Sequence, residues 1–112
     1  MIKGNVRKDW GALTGYTLGV ADTTFSRVDM FPFVEKAIGE SGFHFKVERY
    51  TVPGIKDLPA ACKRLLLDYK CDIVIALGMV GKEIIDKQCS HEASSGIQHV
   101  QLETMKHILE VF

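Results

Sequence analysis

The sequence predicts an α/β domain, a three-layer sandwich with helices on both sides of a four-stranded parallel sheet. Three stretches carry that expectation. Residues 17–22, 50–52 and 72–77 are short apolar runs, and each leads into a turn-prone connection followed by a helix-period segment. Strand and helix signals that alternate in this way point to βαβ units. In an open parallel sheet the connections after the strands emerge together at the carboxyl ends, where ligands bind.

The elements follow in order. Residues 1–15 carry basic residues but no apolar core of a signal peptide, and read as a poorly ordered or loosely docked arm. A first strand at 17–22 is followed by a helix from about residue 28 to 40, with Phe31, Val34 and Ile38 along one face. Pro32 falls in its first turn, where a missing N–H costs no hydrogen bond, and Ser41-Gly42 stops it. A second strand at 43–52 alternates Phe43, Phe45 and Val47 with His44, Lys46 and Glu48. In the second helix Leu58, Ala61, Cys62, Leu65, Leu66 and Tyr69 make one apolar stripe, with Asp57 placed to cap it and Pro59 in its first turn. The third strand, 73–77, is apolar throughout, which predicts a central strand covered on both faces. A third helix, 83–104, turns Ile85, Cys89, Ala93, Ile97 and Val100 inward, and its small residues and Gly96 suggest close packing against a neighbour. Residues 107–112 read as a fourth strand.

Composition narrows the function. The 112 residues make one domain, 46% hydrophobic and 25% charged, as in an ordinary globular protein. Fourteen basic and fourteen acidic residues cancel, so no global field favours nucleic acid. Cys62, Cys71 and Cys89 are odd in number and lack C-x-x-C spacing, which argues against disulfides or zinc and for a reducing cytoplasm. His44, His91, His99 and His107 make no metal-site spacing with them. No apolar run approaches the ~18 residues of a membrane span.

The candidate site lies in the connections. Phe25 suits either stacking on a flat ligand or anchoring its loop, and Thr23 and Thr24 either hydrogen-bond a ligand or cap the next helix. In Pro53-Gly54-Ile55-Lys56-Asp57, Gly54 permits close backbone approach and the helix start offers free N–H groups. Asp57 reads as a ligand contact, as an N-cap, or as both. Gly78-Met79-Val80-Gly81 has the look of a phosphate cradle, but the spacing of a Walker motif is absent. His91 falls off the inward stripe with Ile84, Lys87 and Ser95. It is either a surface histidine or an acid/base.

Asp22-Thr23-Thr24-Phe25-Ser26-Arg27-Val28-Asp29-Met30, Thr51-Val52-Pro53-Gly54-Ile55-Lys56-Asp57-Leu58-Pro59 and Ala76-Leu77-Gly78-Met79-Val80-Gly81-Lys82 closely resemble archaeal-type riboflavin synthase. His91-Glu92-Ala93-Ser94 and Lys106-His107-Ile108-Leu109-Glu110-Val111-Phe112 continue the match, so that it covers residues 16–112. That family is similar in turn to lumazine synthase. The resemblance implies a flavodoxin-like fold assembled as a homopentamer, with sites between adjacent subunits. The implied reaction is that of a transferase in riboflavin biosynthesis: two molecules of 6,7-dimethyl-8-ribityllumazine dismutate to riboflavin and a ribitylaminopyrimidinedione. No redox cofactor is implied, because the pair exchanges carbon units internally; metal dependence stays open. Phe25 would stack on the pteridine, Asp57 would bind ribityl hydroxyls, the Gly78–Gly81 loop would shape the ring pocket, and His91 would act as acid/base, with Asp57 as a second catalytic candidate. Two departures from the family pattern stand out: Val80 replaces a proline, and the family's further carboxyl-terminal helical segment is expected to be missing from the 16–112 domain. Ile84 and Ile85 stand where lumazine synthases carry their catalytic histidine, which leaves lumazine synthase as an alternative, beside a non-catalytic lumazine or flavin binder.

Overall fold

A computed structural model describes residues 16–24, 29–42 and 45–112. The expected arm at 1–15, Phe25, and the expected strand start at Phe43 and His44 lie outside the described residues. The elements run β1 (Thr17–Thr23), α1 (Phe31–Ser41), β2 (Lys46–Val52), a single 3-10 turn (Ile55–Asp57), α2 (Leu58–Leu67), β3 (Ile73–Leu77), α3 (Ile84–Thr104) and β4 (Ile108–Val111). All strands are parallel in one sheet, ordered β2-β1-β3-β4, so the predicted α/β architecture stands.

The chain steps one way across the sheet from β1 to β2, and the other way from β2 through β3 to β4. Parallel crossovers share one hand, so α1 goes to one face and α2 and α3 to the other. On the second face Ala21, Val52, Val74, Ala76 and Ile108 of the strands meet Leu58, Ala61, Cys62, Leu65 and Leu66 of α2 and Ile97 and Val100 of α3. Each fully buried leucine there contributes about 1.5–3 kcal/mol.

The first face is different. No residue of α1 is buried. Its Phe33, Val34, Ala37 and Ile38, with Phe45, Ile75, Leu77 and Val111, line an open apolar groove of about 570 Å3. β3 is central, as expected, but it is covered on one face and borders a groove on the other. An unbroken apolar run reports that both faces avoid water, not what covers them.

The ends of the helices have local causes. Asp29 Oδ1 accepts the Phe31 N–H at 3.1 Å, and with Pro32 in the first turn this starts α1 at Phe31 rather than residue 28. Gly42, at φ 79°, stops it in the left-handed region. α2 ends at Leu67, and Lys70 turns the chain with φ 59°. Tyr69 therefore leaves the predicted stripe and is 48% exposed. Lys106 Nζ donates to Leu66 O (3.4 Å) at that helix end and to Cys71 O (3.0 Å) in the turn beyond it. Ile85, expected inward, is 61% exposed. The 21 residues of α3 are about twice the length of the 10-residue α2, so its first turn runs past that partner. Gly96 does pack closely, but within the chain: a Cβ there would come within 2.8 Å of Pro59 Cγ.

Candidate functional site

The connections after β1, β2 and β3 meet at the carboxyl edge of the sheet. Thr23 is buried at the end of β1. Thr24 donates its N–H to Val52 O (2.9 Å) and its Oγ1 hydroxyl to Pro53 O (3.3 Å). These bonds lace the end of β1 to the Val-Pro-Gly connection. Next along the chain, Gly54 N–H donates to Asp57 Oδ2 (3.2 Å) and Asp57 N–H to Gly54 O (3.0 Å).

Asp57 thus does something other than cap α2. No side-chain cap bond reaches that helix; the carboxylate turns back and closes the 3-10 turn. The reason is the turn itself, which places Gly54 N–H three residues before the carboxylate, within its reach.

One cleft of about 250 Å3 collects six of the thirteen expected residues. Gly54, Ile55 and Lys56 form one wall and Met79, Val80 and Gly81 another. Asp86 and Cys89, from the first turns of α3, complete it. Gly54 is extended, at φ −145°, a conformation open to any residue, and a Cβ there would meet only Asp57 Oδ2 at 3.8 Å. Neither backbone nor packing demands glycine. What it leaves is free space on the cleft wall. Gly78 is of another kind: it donates its N–H to Val111 O (2.8 Å), and a Cβ would press on the Phe112 ring at 3.0 Å. It belongs to the sheet edge rather than the wall.

Charge is sparse and paired. Lys56 Nζ stands 3.2 Å from Glu92 Oε2, and this hydrogen-bonded carboxylate holds the Lys56 ammonium above the ordinary lysine range. Asp86 Oδ2 accepts the Glu83 N–H (3.0 Å) at the start of α3. His91 is exposed on α3 and is not on the cleft wall of this chain. Burial pushes the Cys62 thiol up to about 12 and the Cys71 thiol up to about 11, which leaves both protonated and unreactive at neutral pH.

Three features went unread in the sequence. Asp86 and Cys89 line the cleft; the spacing of Glu83 and Asp86 was the signal available for the first, being that of a capping pair. The third is a buried carboxylate. Asp22, 6% exposed, accepts from Arg49 Nε (3.1 Å), Arg49 Nη2 (2.5 Å) and Thr51 Oγ1 (2.6 Å).

Apolar Ile55, Met79 and Val80 thus face a lysine, a carboxylate and open backbone, a combination that suits a flat heteroaromatic ring with a polar tail. Among the described residues no group of three His, Cys, Asp or Glu side chains is placed to hold a metal. Among them, too, no helix is long and apolar enough to cross a membrane.

The family model described as 6,7-dimethyl-8-ribityllumazine synthase matches residues 15–111. The riboflavin synthase of Methanothermobacter marburgensis is 52% identical over 95 residues, covering 85% of this chain and 62% of that protein. The riboflavin synthase of Archaeoglobus fulgidus is 47% identical over 94 residues, covering 84% and 61%. That of Aeropyrum pernix is 44% identical over 97 residues, covering 87% and 62%. The chain therefore spans about three fifths of the length of the curated relatives it matches.

Proposed function

The chain belongs to the 6,7-dimethyl-8-ribityllumazine synthase family, and from that premise we propose that it is a riboflavin synthase, a cytoplasmic transferase. One molecule of 6,7-dimethyl-8-ribityllumazine gives a four-carbon unit to a second. The products are riboflavin and 5-amino-6-ribitylaminopyrimidinedione. The observation that carries this reading is 52% identity over 95 residues to a protein of that name, joined to a cleft walled by two of the connections that the resemblance singled out, those after β2 and β3.

In this reading Ile55, Met79 and Val80 flank the ring system, and Gly54 lets it lie against backbone. Asp57, fixed by its bond to Gly54 N–H, presents its remaining oxygen to ribityl hydroxyls. Lys56 is held as an ammonium by Glu92 and faces ring oxygens. Thr23 and Thr24 stand behind the cleft, with Thr24 bonded to the Val52 and Pro53 carbonyls just before Gly54. The reaction needs two substrates face to face, so orientation supplies most of the acceleration. At about 250 Å3, the cleft of one chain falls below the ~300–1,000 Å3 usual for a small-molecule site. Walls from an adjacent subunit of a pentamer supply the rest, and His91, off the wall of its own chain, serves as acid/base at such a boundary.

A second reading is condensation to form the lumazine, favoured by the family model's own description. Exposed, apolar Ile84 and Ile85 at the start of α3 oppose it, because they offer no proton-transfer group there.

Incubating the purified protein with 6,7-dimethyl-8-ribityllumazine and following riboflavin fluorescence decides the matter. Riboflavin formation supports the first reading. Lumazine formation from the pyrimidine and a four-carbon phosphate, without dismutation, supports the second. Binding with neither product makes the chain a lumazine binder, and absence of binding removes all three.

A further inference from the structure

Arg49 sits on β2, an edge strand, yet its guanidinium reaches three other parts of the chain. Nε and Nη2 grip Asp22 Oδ2 at the end of β1, at 3.1 and 2.5 Å. Nη2 also donates to Asp29 Oδ1 at 3.1 Å, just before α1, and the group lies 4.2 Å above the centre of the Phe31 ring in the first turn of α1. Asp29 Oδ1 in turn accepts the Phe31 N–H. Asp22 and Asp29 flank the connection that begins with Thr23 and Thr24.

Neutralising Asp22 would need one cation and nothing more. A buried carboxylate does require a hydrogen-bonded partner, and Thr51 Oγ1 supplies a further donor at 2.6 Å. The contacts to Asp29 and Phe31 exceed that need. They demand a planar group with several donors and a stacking face, which arginine has and lysine lacks. Moreover, α1 buries none of its residues, so among the described residues little else fixes its start relative to β1.

We propose that Arg49 is a positioning residue: by holding Asp22 and Asp29 together it fixes where Thr23 and Thr24 stand against Val52 and Pro53, and so sets the affinity of the cleft for its ligand. The ligand is the lumazine of the functional reading above, on which this part rests. The clamp acts on geometry, through the carbonyls that Thr24 binds, and leaves the proton-transfer chemistry to other groups.

The test uses Arg49→Lys, which keeps a cation for Asp22, and Asp29→Asn, which keeps the acceptor oxygen but removes its charge and so weakens one arm at an exposed position. Amide hydrogen exchange reads the clamp without ligand. Exchange at the Thr24 and Phe31 amides accelerates about tenfold in Arg49→Lys, while Leu65 and Ile97 in the core keep wild-type rates. With 6,7-dimethyl-8-ribityllumazine, KM rises about fivefold with kcat little changed; Asp29→Asn moves both quantities the same way by less. Equal acceleration of all amides overturns the proposal, because Arg49 would then be a general stabiliser. Unchanged exchange at Thr24 overturns it too, and so does an unchanged KM in an active enzyme. If wild-type protein neither binds nor converts the lumazine, the functional reading fails, and the exchange pattern alone upholds or overturns the clamp.

Discussion

Lys56 on the 3-10 turn and Glu92 on α3 form an ion pair of 3.2 Å that ties the Val-Pro-Gly connection to the flank of the long helix. Both side chains remain about half exposed or more, so the pair orients Lys56 more than it stabilises the fold. The hydrogen bond from Lys56 raises its pKa above 10.5. A group with a raised folded pKa gives stability that is complete below the unfolded value and lost as pH rises through the folded one. The Lys56 side of the pair therefore contributes fully below about pH 10.5 and is lost as pH rises through the raised value. Glu92→Gln is expected to bring the Lys56 titration down toward its ordinary value while the thermal midpoint barely moves. NMR titration of the Lys56 side chain checks this; an unshifted titration means the pair does not persist in solution.

Gly54→Ala separates fold from function. Its backbone is extended and the new methyl meets only Asp57 Oδ2 at 3.8 Å. Unfolding free energy should stay within about 0.5 kcal/mol of wild type, while the methyl intrudes on the cleft and weakens lumazine binding. Chemical denaturation beside a fluorescence titration measures both, and full affinity in the variant would place the ligand elsewhere.

Gly81→Ala does the reverse. A Cβ at Gly81 would overlap Asp86 Oδ2 and lie 2.6 Å from its Cγ, pushing the carboxylate off the Glu83 N–H. The expected loss is about 1–2 kcal/mol, a lost cap plus crowding. Asp86→Ala removes both the cap and the obstacle, so the double variant should be no less stable than Asp86→Ala alone. Additive losses in the cycle would mean that the two residues do not touch.

The cysteines should label in a fixed order. Cys89 lines the cleft, while Cys62 and Cys71 are buried and their thiols raised to about 12 and about 11. Iodoacetamide at neutral pH is expected to modify Cys89 first, with bound lumazine slowing it, and the other two only on unfolding. The same burial makes stability pH-dependent: keeping Cys62 neutral costs nothing below its ordinary value of 9.0, and the contribution is lost as pH rises from there toward about 12. Unfolding free energy measured from pH 8 to 11 should fall from about 9 upward, and less so in Cys62→Ala.

β3 was legible to the residue, because an apolar run bounded by Asp72 and Gly78 leaves few alternatives, and the stripe of α2 was legible up to Leu66. Tyr69 and Ile85 were not, since period alone says nothing about where a helix ends or how far its partner reaches. Two walls of the cleft were legible as the connections after β2 and β3, but the third, from α3, was not, and among the described residues the connection after β1 does not line it. Asp86 and Cys89 enter it through the angle of α3 against the sheet, which no local pattern encodes. Asp22 and Arg49 lie 27 residues apart and meet only because β1 and β2 pair Val20 with Arg49 and Asp22 with Thr51. Register of parallel strands is a long-range choice. It cannot be read from either strand alone.

The strand order has a consequence for the birth of the chain. β1 is made first, yet it lies between β2 and β3, and Thr17 N–H pairs with Asp72, 55 residues later. At about 5–20 residues per second of synthesis, β1 waits several seconds for that second neighbour. During the wait it can form only a two-stranded ribbon with β2, which has little stability in water. Leu18 and Val20 then stand on an open edge that another nascent copy can meet. The moment of greatest hazard for this protein thus falls on the ribosome, before Ile73–Leu77 has emerged, and a pause placed after that strand would help folding more than one placed before it.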